Sequence, residues 1–310
     1  GLLGVRPLGL LIGTIVAQGG GITTLLRSLL KKKGVPRPAR EDVRRAALRY
    51  RKFPMYSTWS GLLNTLGRQI VPILLITFYS PQIAGLFAMA QSLLHLPSAF
   101  VGQAIGQVFM QRASVARYSG GLQALSLRTY IFLLRLGFFP LLLISFFSPT
   151  IFGIILGDRW IEAGAYARLL GPWIAFAFAY SPMSMLYSIL DRQGIGLISE
   201  VAYILLRIVV FWLGTYAGDP LLSVGLFSIA GFLVLNIRML DLLVASGTSL
   251  KEAFFGTLRI MAEALILLMP PLTVMLHAPG HNHLLFAIIA LVSLIYLFRN
   301  YKFFLSGGAP

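Results

Sequence analysis

Cysteine is absent from this chain of 310 residues, which excludes a disulfide, a thiolate nucleophile, a Cys-ligated zinc and an iron–sulfur cluster. Charge is scarce: 12% of residues are Asp, Glu, Lys or Arg, where soluble domains carry about 25%. A water-soluble enzyme, a disordered chain and a disulfide-knit secreted domain are therefore excluded. Only ten residues are acidic and four are His, leaving little for acid–base or metal chemistry. HExxH, GxxxxGK[ST] and Asp-rich diphosphate–metal clusters are all missing, so ATP-driven transport by this chain alone is excluded. His277, His281 and His283 gather in HAPGHNHL (277–284), but the Pro, Gly and Asn between them mark an exposed turn. Neither a metal nor another cofactor is expected.

Apolar residues dominate, at 57% of the chain with a mean hydropathy of +0.81. A bilayer core of about 30 Å needs about 20 mostly apolar residues per helix, whereas barrel strands alternate in polarity over about 10. The long unbroken runs predict an all-α membrane protein with about nine transmembrane helices, near 8–30 (I), 57–79 (II), 83–111 (III), 129–156 (IV), 166–190 (V), 194–217 (VI), 220–243 (VII), 253–276 (VIII) and 282–299 (IX). Ser80-Pro81, Gly120-Gly121, Gly157-Asp158, Gly218-Asp219-Pro220 and Pro279-Gly280 punctuate them. The chain opens on Gly inside an apolar stretch, which reads as a piece of a longer protein.

The net charge of +16 is concentrated. Nineteen of the 26 Lys and Arg fall in alternate connections: the I–II linker, the III–IV, V–VI and VII–VIII loops (Arg238 counted in the last) and the tail. Arg6, Arg159 and Arg168 fall on the other side, and Arg68, Arg135, Arg207 and Arg259 lie inside spans. Such asymmetry places the basic side in the cytoplasm, with the linker and C-terminus inside and the multi-pass chain in the cytoplasmic membrane. The basic residues suit orientation and anionic lipids; the linker has no nucleic-acid module, and no nucleic-acid partner is expected. Residues 31–56, KKKGVPRPAREDVRRAALRYRKFPMY, read as a boundary between two membrane bundles with a surface helix over 40–52.

Polar residues within the spans are uneven. Span II carries Ser57, Ser60, Asn64 and Arg68 on one helical face, flanked by Thr65 and Gln69 and followed by Pro72. Span III carries Gln91, His95 and Ser98, then Gln103, Gln107 and Gln111 at intervals of four. A straight helix would point the second row more than about 100° from Gln91, so both line one cavity only if the helix bends or unwinds at Pro97. A single Ser, Thr or Gln in a span serves to join helices. The set around Arg68 instead reads as cavity lining, because a guanidinium cannot be neutralised and no carboxylate lies within reach along span II. Elsewhere, Arg135 is expected to snorkel to the cytoplasmic edge, Arg259 to pair with Glu263, and Asp191 with Arg192. Glu200 and Arg207 share one face of span VI, either for structural pairing or as a second polar groove.

The runs YSTWSGLLNTLGRQIVPILL (56–75), SPQIAGLFAMAQSLLHLPSAFVGQAIGQVFMQRAS (80–114) and GDRWIEAGAYARLLGPW (157–173) resemble polysaccharide and O-antigen flippases of the multidrug/oligosaccharidyl-lipid/polysaccharide exporter superfamily. The resemblance implies two six-helix lobes. Residues 1–30 would be the last helix of a truncated first lobe, 31–56 the inter-lobe linker, 57–246 the second lobe, and 247–310 two additional helices and the tail. It implies no enzyme, but translocation of a polyprenyl-pyrophosphate-linked oligosaccharide by alternating access, for lipopolysaccharide and other surface polysaccharides. Arg68 would face the diphosphate, and Asn64, Gln69, Gln91, Gln103 and Gln107 the sugar hydroxyls. Implied partners are the lipid-linked oligosaccharide, membrane lipids and the missing N-terminal lobe. Alternatives are a multidrug exporter of the same superfamily, which would want an intramembrane carboxylate, and a membrane glycosyltransferase or polymerase, which would want a long external loop or acidic motif.

Overall fold

A computed structural model describes residues 39–50, 58–277 and 282–305, and every described element is helical. Expected span I, Ser57 and His281 lie outside the described residues. Two compact units divide at Arg51. The first contributes α1 (Arg40–Tyr50), whose Glu41 and Asp42 sit in its first turn and Arg49 in its last, each at the helix end that favours its charge. Arg45 meets Asp42 and Glu41 at 3.4 and 3.9 Å on a solvated surface.

The second unit begins with α2 (Thr58–Phe78). Next comes a helix running 39 residues from Pro81 to Ser119, made of α3 (Pro81–Pro97), a π-helical turn over Ser98–Gly102, and α4 (Gln103–Ser119). Ser80 caps it by accepting from the Ile83 N–H at 3.3 Å, with Pro81 in a first turn that needs no donor. Gly120, at φ 84°, ends it in the left-handed conformation. Then follow α5 (Leu122–Phe146), α6 (Ser148–Leu156), a short 3₁₀ turn, α7 (Ile161–Met183), α8 (Leu186–Ile189), α9 (Gln193–Thr215), α10 (Pro220–Ala245), α11 (Leu250–His277) and α12 (Asn282–Leu305). Among the described residues seven helices are long and apolar enough to cross a membrane, and α2 adds a shorter apolar stretch over 65–78.

Span IV differs from expectation. It starts earlier and breaks at Phe147, because Pro149 opens a new helix and the Ser148 hydroxyl turns across to the Gly164 carbonyl at 2.6 Å. Span V likewise ends at Met183, with α8 as a separate turn.

The core centres on α7, which packs against α3, α5, α6 and α10. Of its most apolar stretch 67% is buried, against 22% for α11 and for α12. This explains why α7 is apolar around its whole circumference rather than on one stripe. Its closest neighbour is α5: a Cβ on Gly171 would lie 1.9 Å from Ser145 Oγ. That hydroxyl donates to the Ala167 carbonyl at 2.6 Å, so one small residue and one hydroxyl draw two helices together.

Ties between turns show which ends are shared. The Tyr79 hydroxyl, after α2, lies 2.5 Å from Ser223 Oγ on α10. At the opposite end Arg117 pairs with Asp191 at 2.8 Å and Arg192 with Asp241 at 3.2 Å. Asp191 and Arg192 thus find partners on other elements rather than each other. Arg135 donates to Asn300 Oδ1 at 3.0 Å and lies over Phe303 at 4.8 Å, joining α5 to the last turns of α12. Glu263 holds both Arg259 (3.5 Å) and Arg299 (3.4 Å), so the expected pair is present and shared with α12.

Candidate functional site

The polar residues of the Pro81–Ser119 helix are organised by the π turn. Gln103 stands twelve residues past Gln91, about 120° around a regular helix at about 100° per residue. A π turn holds one more residue than an α turn and takes back about 100°. Burial records the same shift: Ala84, Phe87, Ala90 and Leu94 are buried before the turn, Gly102, Gly106, Phe109 and Ala113 after it. An uninterrupted helix would have continued through 98, 101 and 105. Gln91 follows buried Ala90 as Gln103 follows Gly102 and Gln107 follows Gly106. All three therefore sit on one flank of the packed face, Gln91 half-buried and Gln103 and Gln107 exposed. Unwinding after Pro97, the condition set by the sequence, is met. Gln111 extends the row into a hollow of about 530 Å³, lined also by Arg112, Val115, Ala116, Ser119 and Leu125.

On α2, Gly67, Val71 and Leu75 are buried, and Gln69 is exposed on the opposite side. No hydrogen bond among the described residues joins Gln69 to the glutamine flank. The side chains of Ser60, Asn64 and Arg68 lie outside the described residues.

Sequence reasoning missed the extent of a second charged system inside the bundle. Arg238, counted with a loop, is buried seven residues before the end of α10, and its Nη1 meets Glu200 Oε2 on α9 at 2.8 Å. Tyr180 and Tyr187 lie 5.2 and 5.6 Å from its guanidinium. Arg207, two turns along α9 from Glu200, is 5% exposed and is not paired with it. It donates through Nη1 to the Gly67 carbonyl of α2 at 2.6 Å and stacks 3.8 Å from the Tyr203 ring centroid, with Phe227 and Trp173 at 5.6 and 5.7 Å. Trp173 in turn meets the His95 ring edge-on at 6.0 Å. The clue in the sequence was the seven-residue spacing of Glu200 and Arg207; the choice of partner lay on other helices.

At the other end, Phe146 and Phe147 of the α5–α6 junction and Leu265, Leu268, Met269 and Leu272 of α11 enclose an apolar cleft of about 210 Å³.

A family model described as "Polysaccharide biosynthesis protein" matches residues 8–165, a stretch that contains α2, the Pro81–Ser119 helix and α5. No curated protein and no solved structure matches the chain.

Proposed function

Starting from a chain that belongs to the polysaccharide biosynthesis protein family, we propose that it translocates a polyprenyl-pyrophosphate-linked oligosaccharide across the cytoplasmic membrane. The reading makes it a carrier rather than an enzyme. What carries it is the single flank of Gln91, Gln103 and Gln107 on a membrane-length helix, kept in phase by a π turn.

An amide offers two donors and an acceptor with no net charge. A file of them suits sugar hydroxyls, which change partner at each step of passage. Polar groups within a span otherwise cost free energy, and they persist where they face water, protein or cargo. Arg68 would supply the cation a diphosphate requires, and Asn64 and Gln69 further hydrogen-bonding groups. The hollow at Gln111 and Arg112 lies at the basic, cytoplasmic end of the row, where the cargo would be taken up. The lipid tail would remain among apolar surfaces, of which the cleft between the α5–α6 junction and α11 is one. Alternating exposure would come from rocking this bundle against the N-terminal lobe of the same protein. A cationic drug as cargo is disfavoured because Glu200, the carboxylate buried on α9, is ion-paired with Arg238.

The test is export of surface polysaccharide by variants that reach the membrane at normal abundance. Arg68→Ala should abolish it. Gln103→Leu with Gln107→Leu removes two hydrogen bonds of about 1 kcal/mol each, or about thirtyfold in cargo binding. Unaltered export by both would refute the cargo path.

A further inference from the structure

Arg207 is an unusual residue to keep inside a membrane bundle. Among the described residues no carboxylate lies within ion-pair distance of it, and its Nε is buried with no hydrogen-bond partner. Were it only filling space between α2, α7, α9 and α10, an apolar side chain of similar volume would serve at least as well, since buried charges are often replaced by hydrophobic groups without loss of stability. Its contacts suggest a different use. Three aromatic rings surround the guanidinium, and among the described residues its one directed bond runs from Nη1 to the Gly67 carbonyl. That carbonyl lies where α2 is weakest: Pro72 has no N–H, so the carbonyl four residues earlier, at position 68, loses its intrahelical donor. The backbone around 67–68 is therefore the part of α2 most able to change direction. Gly67 is fitted to the contact, because a Cβ there would lie 3.0 Å from Arg207 Nη1 and 3.1 Å from Ile204 Cγ1. The same cage reaches α3 through the Trp173–His95 contact, so Arg207 meets α2 directly and α3 by way of one ring.

We infer that Arg207 is a positioning residue: its caged guanidinium fixes the middle of α2 at the Gly67 carbonyl, sets how the segment bearing Arg68 and Gln69 is presented, and links that setting to the His95 turn of α3. The cation acts through the backbone of α2 and does not touch cargo.

The absence of cysteine makes the test direct. In the full-length protein, Gln69→Cys supplies a thiol on the exposed face of α2, and its labelling rate by a maleimide in membranes reports the setting of that segment. Arg207→Met should change this rate by about fivefold or more, the scale of one lost hydrogen bond. Arg207→Lys, which keeps a cation able to reach the carbonyl, should stay within about twofold and retain export, the rescue that loss of packing alone would not provide. If Arg207→Met fails to accumulate, Gly67→Ala perturbs the same contact from the other side and should shift labelling likewise. Unchanged labelling in whichever of these two accumulates overturns the assignment, even if export falls. Export is read in chains that keep Gln69 and rests on the cargo path proposed above, whereas labelling does not: shifted labelling with intact export would leave Arg207 as the fixing group and count against that path.

Discussion

Removing the Glu200 carboxylate while Arg238 stays leaves a guanidinium in the bundle with no ion-pair partner among the described residues. The two side chains are 3% and 10% exposed, and their contact is 2.8 Å. Solvent therefore screens them little. Glu200→Ala should lower stability by about 3–5 kcal/mol, the usual loss when one partner of a buried pair is removed. Arg238 cannot discharge the deficit by losing its proton, and the rings of Tyr180 and Tyr187, at 5.2 and 5.6 Å, offer only a weak substitute for a carboxylate. Replacing both members by apolar residues, Glu200→Leu with Arg238→Met, removes the two desolvation penalties together and should return stability to within about 1–2 kcal/mol of the parent. The measurement is equilibrium unfolding in mixed micelles by titration with a denaturing detergent, followed by helicity and tryptophan fluorescence. The reasoning fails if Glu200→Ala costs less than about 1 kcal/mol, which is the scale of a solvent-exposed pair. It fails equally if the double variant is less stable than the sum of its single changes, since that would make each charge valuable apart from the other.

Two further outcomes test the architecture. Deleting Ala99 from the π turn should return the Pro81–Ser119 helix to α geometry with its buried faces still aligned, and the protein should accumulate and unfold much as before. Deleting Ala88 from the regular part of α3 should instead turn the preceding helix by about 100° relative to the rest and abolish accumulation. Equal damage from both deletions would contradict the one-residue phase shift. Gly171→Ala should destabilise the bundle by about 1–3 kcal/mol in the same unfolding assay, because its Cβ would fall 1.9 Å from Ser145 Oγ and force α5 and α7 apart; a neutral result would mean that the two helices are not so closely apposed.

How far the fold was legible depends on how local its causes are. Helix starts near Pro81 and Pro220 follow from Ser80 and Asp219 as caps and from proline in the first turn, interactions contained within a few residues. The helix end at Gly120 needs only a left-handed residue. The break at Phe147 was not legible, because part of its cause is the hydrogen bond from Ser148 to Gly164 on another helix. The glutamine row shows both limits at once. Its four-residue spacing and the proline beside it could be read directly, but whether Pro97 would yield a kink or a π turn was settled by packing, with Gly106 held 3.7 Å, at its would-be Cβ, from the Pro182 backbone.

Apolar run length and turn chemistry by themselves determined an all-helical membrane chain, the approximate limits of its crossings, and the polar bias of the second and third. Both act over short stretches of backbone, and a bilayer allows few ways to satisfy them. The tertiary structure alone decided which partner each cation meets: Arg238 with Glu200, Arg117 with Asp191, Arg192 with Asp241, Arg135 with the Asn300 amide, and Arg207 with a backbone carbonyl. A long cationic side chain in a low-dielectric bundle takes the nearest acceptor in space, and nearness in space is set by how whole helices pack.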